Sequence, residues 1–314
     1  QYGVTEGYAP LRDLVKQRLK RVYNIGTPDD ETIIVTGGQQ GIELTCKVMC
    51  NEGDVVISEN PSFIGALNSF RSLGAKLVGV PLKDDGMDIA ALENALKSNP
   101  KTKLIYTIPS FQNPAGITST LENRKAVYEL ARKYDVLIIE DNPYGDLRFA
   151  GEDVPTYKSF DTDGRVVYCG SFSKILSAGI RVGTLTANKE LVSKIVVAKQ
   201  VEDVHTNVFF QMVCAKYMSE YDLEGHIEKI RKLYMHKAGL MIAALEKYMP
   251  ADVKFTRPDG GIFLWCSLPE GYSLDEFVKR CSDKNVFVVP GTAFLPDESE
   301  VTRSFRLNYS MPSD

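Results

Sequence analysis

Apolar positions along the chain follow two spacings. Leu11, Leu14, Val15, Leu19 and Val22 recur every three or four residues and predict a helix over 8–23. Thr32-Ile-Ile-Val-Thr36 is an unbroken apolar run, as in a strand buried on both faces. The two patterns then alternate. Strands are predicted over 54–58, 76–80, 103–107, 136–140 and 166–169, and helices after 38, from about 62, over 89–98 and over 120–134. Such alternation predicts an α/β fold, a three-layer αβα unit around a mostly parallel sheet.

The texture changes after Asn188. Helical spacing covers 189–201, 206–219 and 222–248, and short strands follow at 253–256, 262–266, 286–289 and 304–309, with a helix near 273–283. This pattern predicts a smaller α+β domain over 221–314, beside a large domain over 1–220. The length of 314 residues agrees with two domains, since single cores stop growing near ~250–300 residues.

Composition narrows the function by exclusion. Hydrophobic residues make up 44% and charged residues 25%, and the net charge of −4 offers no surface for nucleic acid or membrane. No apolar run reaches the ~18 residues of a membrane span. The six cysteines and three histidines lack metal-ligand spacing, so no metal is expected, and the cysteines read as reduced core residues of a cytoplasmic protein. The chain opens at Gln1 and ends abruptly at Asp314. Both natural ends are expected to lie outside it, leaving out an N-terminal arm and the end of the small domain.

Candidate chemistry collects where strands end. Gly37-Gly38-Gln39-Gln40-Gly41 separates a strand from a helix, so free N–H groups there make an anion cup. Asn113, Asp141 and Lys174 each follow another predicted strand. In an open parallel sheet that edge forms the ligand crevice. Lys174, in Ser171-Phe-Ser-Lys174, sits among small and hydroxyl residues where desolvation suits an imine-forming amine. A dinucleotide could use the glycines, with Glu59 as ribose acid, but the G-x-G-x-x-G spacing is missing and Lys174, Asp141 and Asn113 would have no role. Pyridoxal phosphate uses every group: an amine for its aldehyde, a carboxylate for its ring nitrogen, and an N–H cup with a cation for its phosphate.

With Arg181 seven residues after Lys174, Asp141-x-x-Tyr144 and Gln112-Asn113-Pro114-x-Gly116, the chain resembles a fold-type I, class I/II aminotransferase. It is most similar to the branch holding kynurenine, 2-aminoadipate and aromatic aminotransferases. The resemblance runs from Tyr2-Gly3 to Arg306-Leu-Asn-Tyr-Ser310. It implies that Lys174 is the Schiff-base lysine and proton-shift base, and that Asp141 pairs with the ring nitrogen. Tyr144 and Asn113 would hydrogen-bond the phenolic oxygen, and Phe63 would stack on the ring. Gly38, Gln39, Ser171, Ser173 and Arg181 would hold the phosphate, and Tyr2 would reach the partner's phosphate across a homodimer. Arg306 would clamp the substrate carboxylate, and Asn113 would also contact substrate. The implied reaction is ping-pong transfer of an amino group from an L-amino acid to a 2-oxo acid, 2-oxoglutarate among them. A carbon–sulfur β-lyase on the same scaffold stays open, as does an effector domain that follows a winged-helix DNA-binding segment in a regulator.

Overall fold

The computed structural model describes residues 2–312. Helix α1 (Ala9–Tyr23) leads to strand β1 (Asp30–Val35), helix α2 (Gly38–Met49), β2 (Val55–Asn60), α3 (Ile64–Ser72), β3 (Lys76–Lys83) and β4 (Gly86–Met87). Next come α4 (Ile89–Ser98), β5 (Thr102–Thr107), α5 (Leu121–Lys133), β6 (Leu137–Asp141), β7 (Val166–Ser171) and β8 (Gly183–Asn188). Helices α6 (Lys189–Glu202), α7 (Val208–Glu220) and α8 (Leu223–Tyr248) follow. Then come β9 (Lys254–Phe255), β10 (Phe263–Ser267), α9 (Leu274–Ser282), β11 (Val289–Pro290) and β12 (Ser304–Asn308).

The first eight strands form one sheet in the order β1-β8-β7-β6-β5-β2-β3-β4. Strands β7, β6, β5, β2 and β3 run parallel, whereas β8 is antiparallel to both of its neighbours. The apolar runs therefore build an α/β fold with a mixed sheet, as expected. Side chains alternate across it because strand residues point to opposite faces. Leu104 and Tyr106 of β5 enter a core with α1, α2, α6 and α7, while Ile105 enters one with α4 and α5. Helices thus cover both faces.

Strand β8 was not among the expected strands. Its run Gly183-Thr-Leu-Thr-Ala reads as too polar for a sheet interior, yet all five residues are buried. The Thr186 hydroxyl bonds that of Thr32 across the β1–β8 pair at 2.8 Å, so these two buried hydroxyls satisfy each other. Sheet edges also shift slightly: Asp141 is the last residue of β6 rather than the residue after it.

A second sheet has the order β11-β12-β10-β9 and packs its own core. Helix α8 serves two cores, with Leu223 and Ile227 in that of the large sheet and Ala238 and Leu245 in that of the small one. Among the described residues no helix is long and apolar enough to cross a membrane. All six cysteines are free.

Candidate active site

A cleft of about 510 Å³ opens where β6 and β7 end, beside the start of α2, and the first residues of β10 and the middle of β12 complete its wall. Lys174 lies three residues past the end of β7 and lines this cleft half-buried. Among the described residues it has no carboxylate or hydrogen-bond partner. Burial lowers its pKa, and the nearby guanidinium groups of Arg306 and Arg181 lower it further. Both effects disfavour the ammonium form and leave a more readily neutral amine.

The anion cup is formed by the turn from β1 into α2. Gly37, with φ of 78°, caps the helix; the Gln40 N–H bonds the Gly37 carbonyl at 3.2 Å, while the N–H groups of Gly38 and Gln39 have no carbonyl one turn below. Arg181 itself adopts a left-handed conformation, φ 53°, that returns its guanidinium to this turn. It donates to the carbonyls of Ala178 at 3.2 Å and Thr36 at 3.4 Å and to Ser173 Oγ at 3.4 Å. A Cβ at Gly37 would collide with that guanidinium, and one at Gly183 would lie 2.6 Å from the Gly37 carbonyl carbon. The cup and Arg181 approach each other only across glycine. Ser171 and Ser173 complete the rim, with the Ser173 N–H donating to Ser171 Oγ at 3.1 Å. Gln39 behaves otherwise than its side chain suggests: its amide donates to Gly65 O at 2.9 Å and Ser69 Oγ at 2.7 Å. Its main-chain N–H is therefore the group left for an anion.

Across the cleft, Asp141 is buried and has one donor, the Tyr106 hydroxyl at 2.7 Å. Burial pushes its pKa up to about 7, and the Tyr106 bond only partly opposes that rise. No cation of the chain pairs with it among the described residues. Burial also raises the Tyr144 phenol, Asp141 adds to the rise, and the Asn113 amide beside it pulls the other way. Asn113 Oδ1 accepts from Arg306 Nη1 at 2.7 Å, a contact between residues 193 apart in sequence. The Arg306 guanidinium lies 4.0 Å from the Phe263 ring centroid and 5.0 Å from that of Phe294. Its Nε is buried without a hydrogen-bond partner. Such an arginine is oriented but not neutralised.

Most of the residues singled out in the sequence therefore share one cleft, Phe63 among them at the mouth of α3. Tyr2 does not line it; 86% exposed, it packs edge-on against His205 on the outer surface. Glu59 is no ribose acid. It is buried and accepts from Thr107 Oγ1 at 2.5 Å, Gln112 Nε2 at 2.9 Å and the Ile108 N–H at 3.2 Å, which holds the loop carrying Asn113. Sequence reading missed Tyr106 and Phe263, because an aromatic residue in a buried strand is the commonest kind of core position. Only its distance from Asp141 gives Tyr106 a role.

Comparison with known proteins agrees with this geometry. The profile of the family described as Aminotransferase class I and II matches residues 1–314. Aromatic-amino-acid aminotransferase 1 of Thermococcus litoralis is 40% identical over 314 residues, which is 99% of this chain and 75% of that one. A multiple substrate aminotransferase from Thermococcus profundus superposes with a TM-score of 0.96 at 39% identity, covering 100% of this chain and 78% of the other. LysN, an alpha-aminoadipate aminotransferase from Thermus thermophilus solved with N-(5'-phosphopyridoxyl)-L-leucine, superposes at 0.91 with 37% identity, over 99% of this chain and 78% of its own. With the family profile spanning its length and relatives this similar, the chain belongs to the class I and II aminotransferases, and pyridoxal phosphate is its cofactor.

Proposed function

We propose that this cleft moves an amino group from an L-amino acid to a 2-oxo acid such as 2-oxoglutarate in two half-reactions, with Lys174 as the proton carrier. One observation carries the assignment of roles. Lys174, Arg181 and Arg306 share the cleft with a single carboxylate, Asp141, so cations exceed acids among its described residues. That imbalance suits a phosphate and a substrate carboxylate, each bringing negative charge.

The residues fit pyridoxal phosphate. A buried carboxylate without a cation suits the ring nitrogen, a glycine-lined cup with Arg181 suits the phosphate, and an unpaired amine suits the aldehyde. Bound there, the cofactor supplies an electron-withdrawing ring that acidifies the substrate's α-C–H. In this reading the neutral amine of Lys174 would bind the cofactor's aldehyde and, once freed by substrate, would carry the substrate's α-proton on Nζ to the cofactor's carbon. Asp141 stays ionised beside the ring nitrogen. Tyr144 and Asn113 orient the phenolic oxygen, Phe63 covers the ring, and the N–H groups of Gly38 and Gln39 with Ser171, Ser173 and Arg181 grip the phosphate. Arg306, preset by Asn113, takes the α-carboxylate.

Two further parts belong to the same reading. A homodimer is supported by exposed apolar residues on α6 and α7, Val197, Val201, Phe209 and Met212, and by exposed Tyr2, which would then serve the partner's cup. A cytoplasmic location is supported by six unbridged cysteines. The small domain would begin at 221, just before α8, the helix that leads from one core to the other.

The test is a single turnover. Cofactor-loaded protein is mixed with aromatic amino acids, kynurenine or 2-aminoadipate, and both cofactor absorbance and 2-oxo acid are followed. Conversion of the cofactor to its amine form with equimolar oxo acid is expected, with 2-oxoglutarate restoring the starting spectrum. Ammonia, pyruvate and a thiol from an added cysteine S-conjugate would favour the lyase, and a bound but unconverted cofactor the effector domain.

A further inference from the structure

Beneath the anion cup, outside the cleft, a second lysine is buried. The Lys199 side chain has no exposed surface. Its ammonium donates to both carboxylate oxygens of Asp203 at 2.8 Å, to Gln40 Oε1 at 2.9 Å and to Thr206 Oγ1 at 3.1 Å. Gln40 Oε1 also accepts the Thr36 N–H at 2.8 Å, and Gln40 Nε2 donates to Asp203 Oδ2 at 2.8 Å. The Thr36 hydroxyl donates to that same oxygen at 2.9 Å. Thr36 is thus held at its N–H and its hydroxyl, while its carbonyl accepts from Arg181. The next residue is Gly37.

Apolar side chains would fill this space at lower desolvation cost than an ion pair. What a lysine with every donor used adds is a fixed position for whatever it bonds. A second feature points the same way. Val204, directly after Asp203, has φ of 62°, a strained conformation for a β-branched residue. The chain tolerates it where the turn brings Asp203 and Thr206 to one ammonium.

We propose that Lys199 and Asp203 are positioning residues for the phosphate cup, holding Thr36 and Gln40 so that the N–H groups of Gly38 and Gln39 and the Arg181 guanidinium converge on one phosphate. The proposal rests on the reading that the cofactor's phosphate occupies that cup. None of the four clamped side chains lines the cleft, so they act on the ligand only through the backbone they hold.

Binding of pyridoxal phosphate and of pyridoxal, which lacks the phosphate, separates this role from general stability. Dissociation constants would be measured on the full chain by the absorbance change at Lys174, beside thermal melts. For Lys199→Met, affinity for pyridoxal phosphate is expected to fall roughly ten- to a hundredfold, with pyridoxal affinity unchanged. Thr36→Val removes only the hydroxyl that meets Asp203, so it tests the same clamp should Lys199→Met not fold. A selective loss of about fivefold is expected there. Equal weakening of both ligands, or no change in Thr36→Val, overturns the proposal. A parent protein that binds the two ligands equally would instead remove the cup reading beneath it.

Discussion

Lys174 and Lys199 are both withdrawn from water on the same α/β body, and burial lowers the pKa of each. Their surroundings differ in sign. Lys199 is ringed by acceptors, and Asp203 opposes the fall in its pKa. Lys158, equally buried, meets Asp30 at 2.7 Å and Asp161 at 2.9 Å. Among the described residues Lys174 meets no carboxylate, and its charged neighbours are two guanidinium groups. A buried lysine with a full set of acceptors holds structure in place. One faced by cations is poised to lose its proton and attack. Burial alone does not separate the two; the sign of the neighbouring charge does.

The largest effect that could break this contrast is at Lys174. Replacement by Ala, or by Arg to keep the charge, is expected to lower the half-reaction rate by at least about 10⁴-fold, read by stopped-flow absorbance. An active Lys174→Arg variant would show that charge, not a free amine, is what the site needs. Next comes Arg306→Gln. Loss of a charge-assisted pair to substrate should cut kcat/KM roughly a hundredfold while cofactor binding holds. Loss of cofactor instead would mean that Arg306 supports the cup.

A smaller effect concerns acids rather than lysines. Asp141, Glu59 and Glu140 are buried, and burial raises each to about 7. Their native pKa values exceed the unfolded ones, so the native state binds more protons between about pH 4 and pH 7. Stability of the cofactor-free chain should therefore fall as pH rises through that window and level off above it. Asp141→Asn should remove part of the slope and make the cofactor-free chain more stable at pH 8, by on the order of a few kcal/mol, in urea titrations. Cofactor should stabilise the parent protein more than this variant. The smallest effect returns to Lys174. Without the Arg306 charge its pKa should rise, so in Arg306→Gln its labelling by an amine reagent should shift to higher pH.

Much of this was legible in the sequence because it is local. Unbroken apolar runs specify buried strands, glycines after Thr36 specify a turn into a helix, and polar residues at strand ends share one sheet edge by topology. Strand β8 escaped because Thr184 and Thr186 read as polar, and only the Thr32 hydroxyl across the sheet makes burial of Thr186 affordable in hydrogen bonds. Gln39 was expected to hold the phosphate, and which of its groups is left for that role is decided elsewhere in the fold. The Gly65 carbonyl and the Ser69 hydroxyl compete for its side-chain amide, and both lie on another element. Lys199 is one of several polar residues of α6, and nothing in its spacing singles it out.

The sequence by itself determined the alternation of elements, the edge at which Asp141 and Lys174 emerge, and the glycine turn that leaves N–H groups free. These follow from periodicity and backbone sterics, which act between near neighbours. Only the tertiary structure decided which charges meet. Arg306 reaches Asn113 across 193 positions, Tyr106 finds Asp141, and Asp203 turns back to Lys199 rather than to Lys174. Electrostatic environment is set by packing between distant segments, and so the same residue type is ringed by acceptors at one place and faced by guanidinium groups at another.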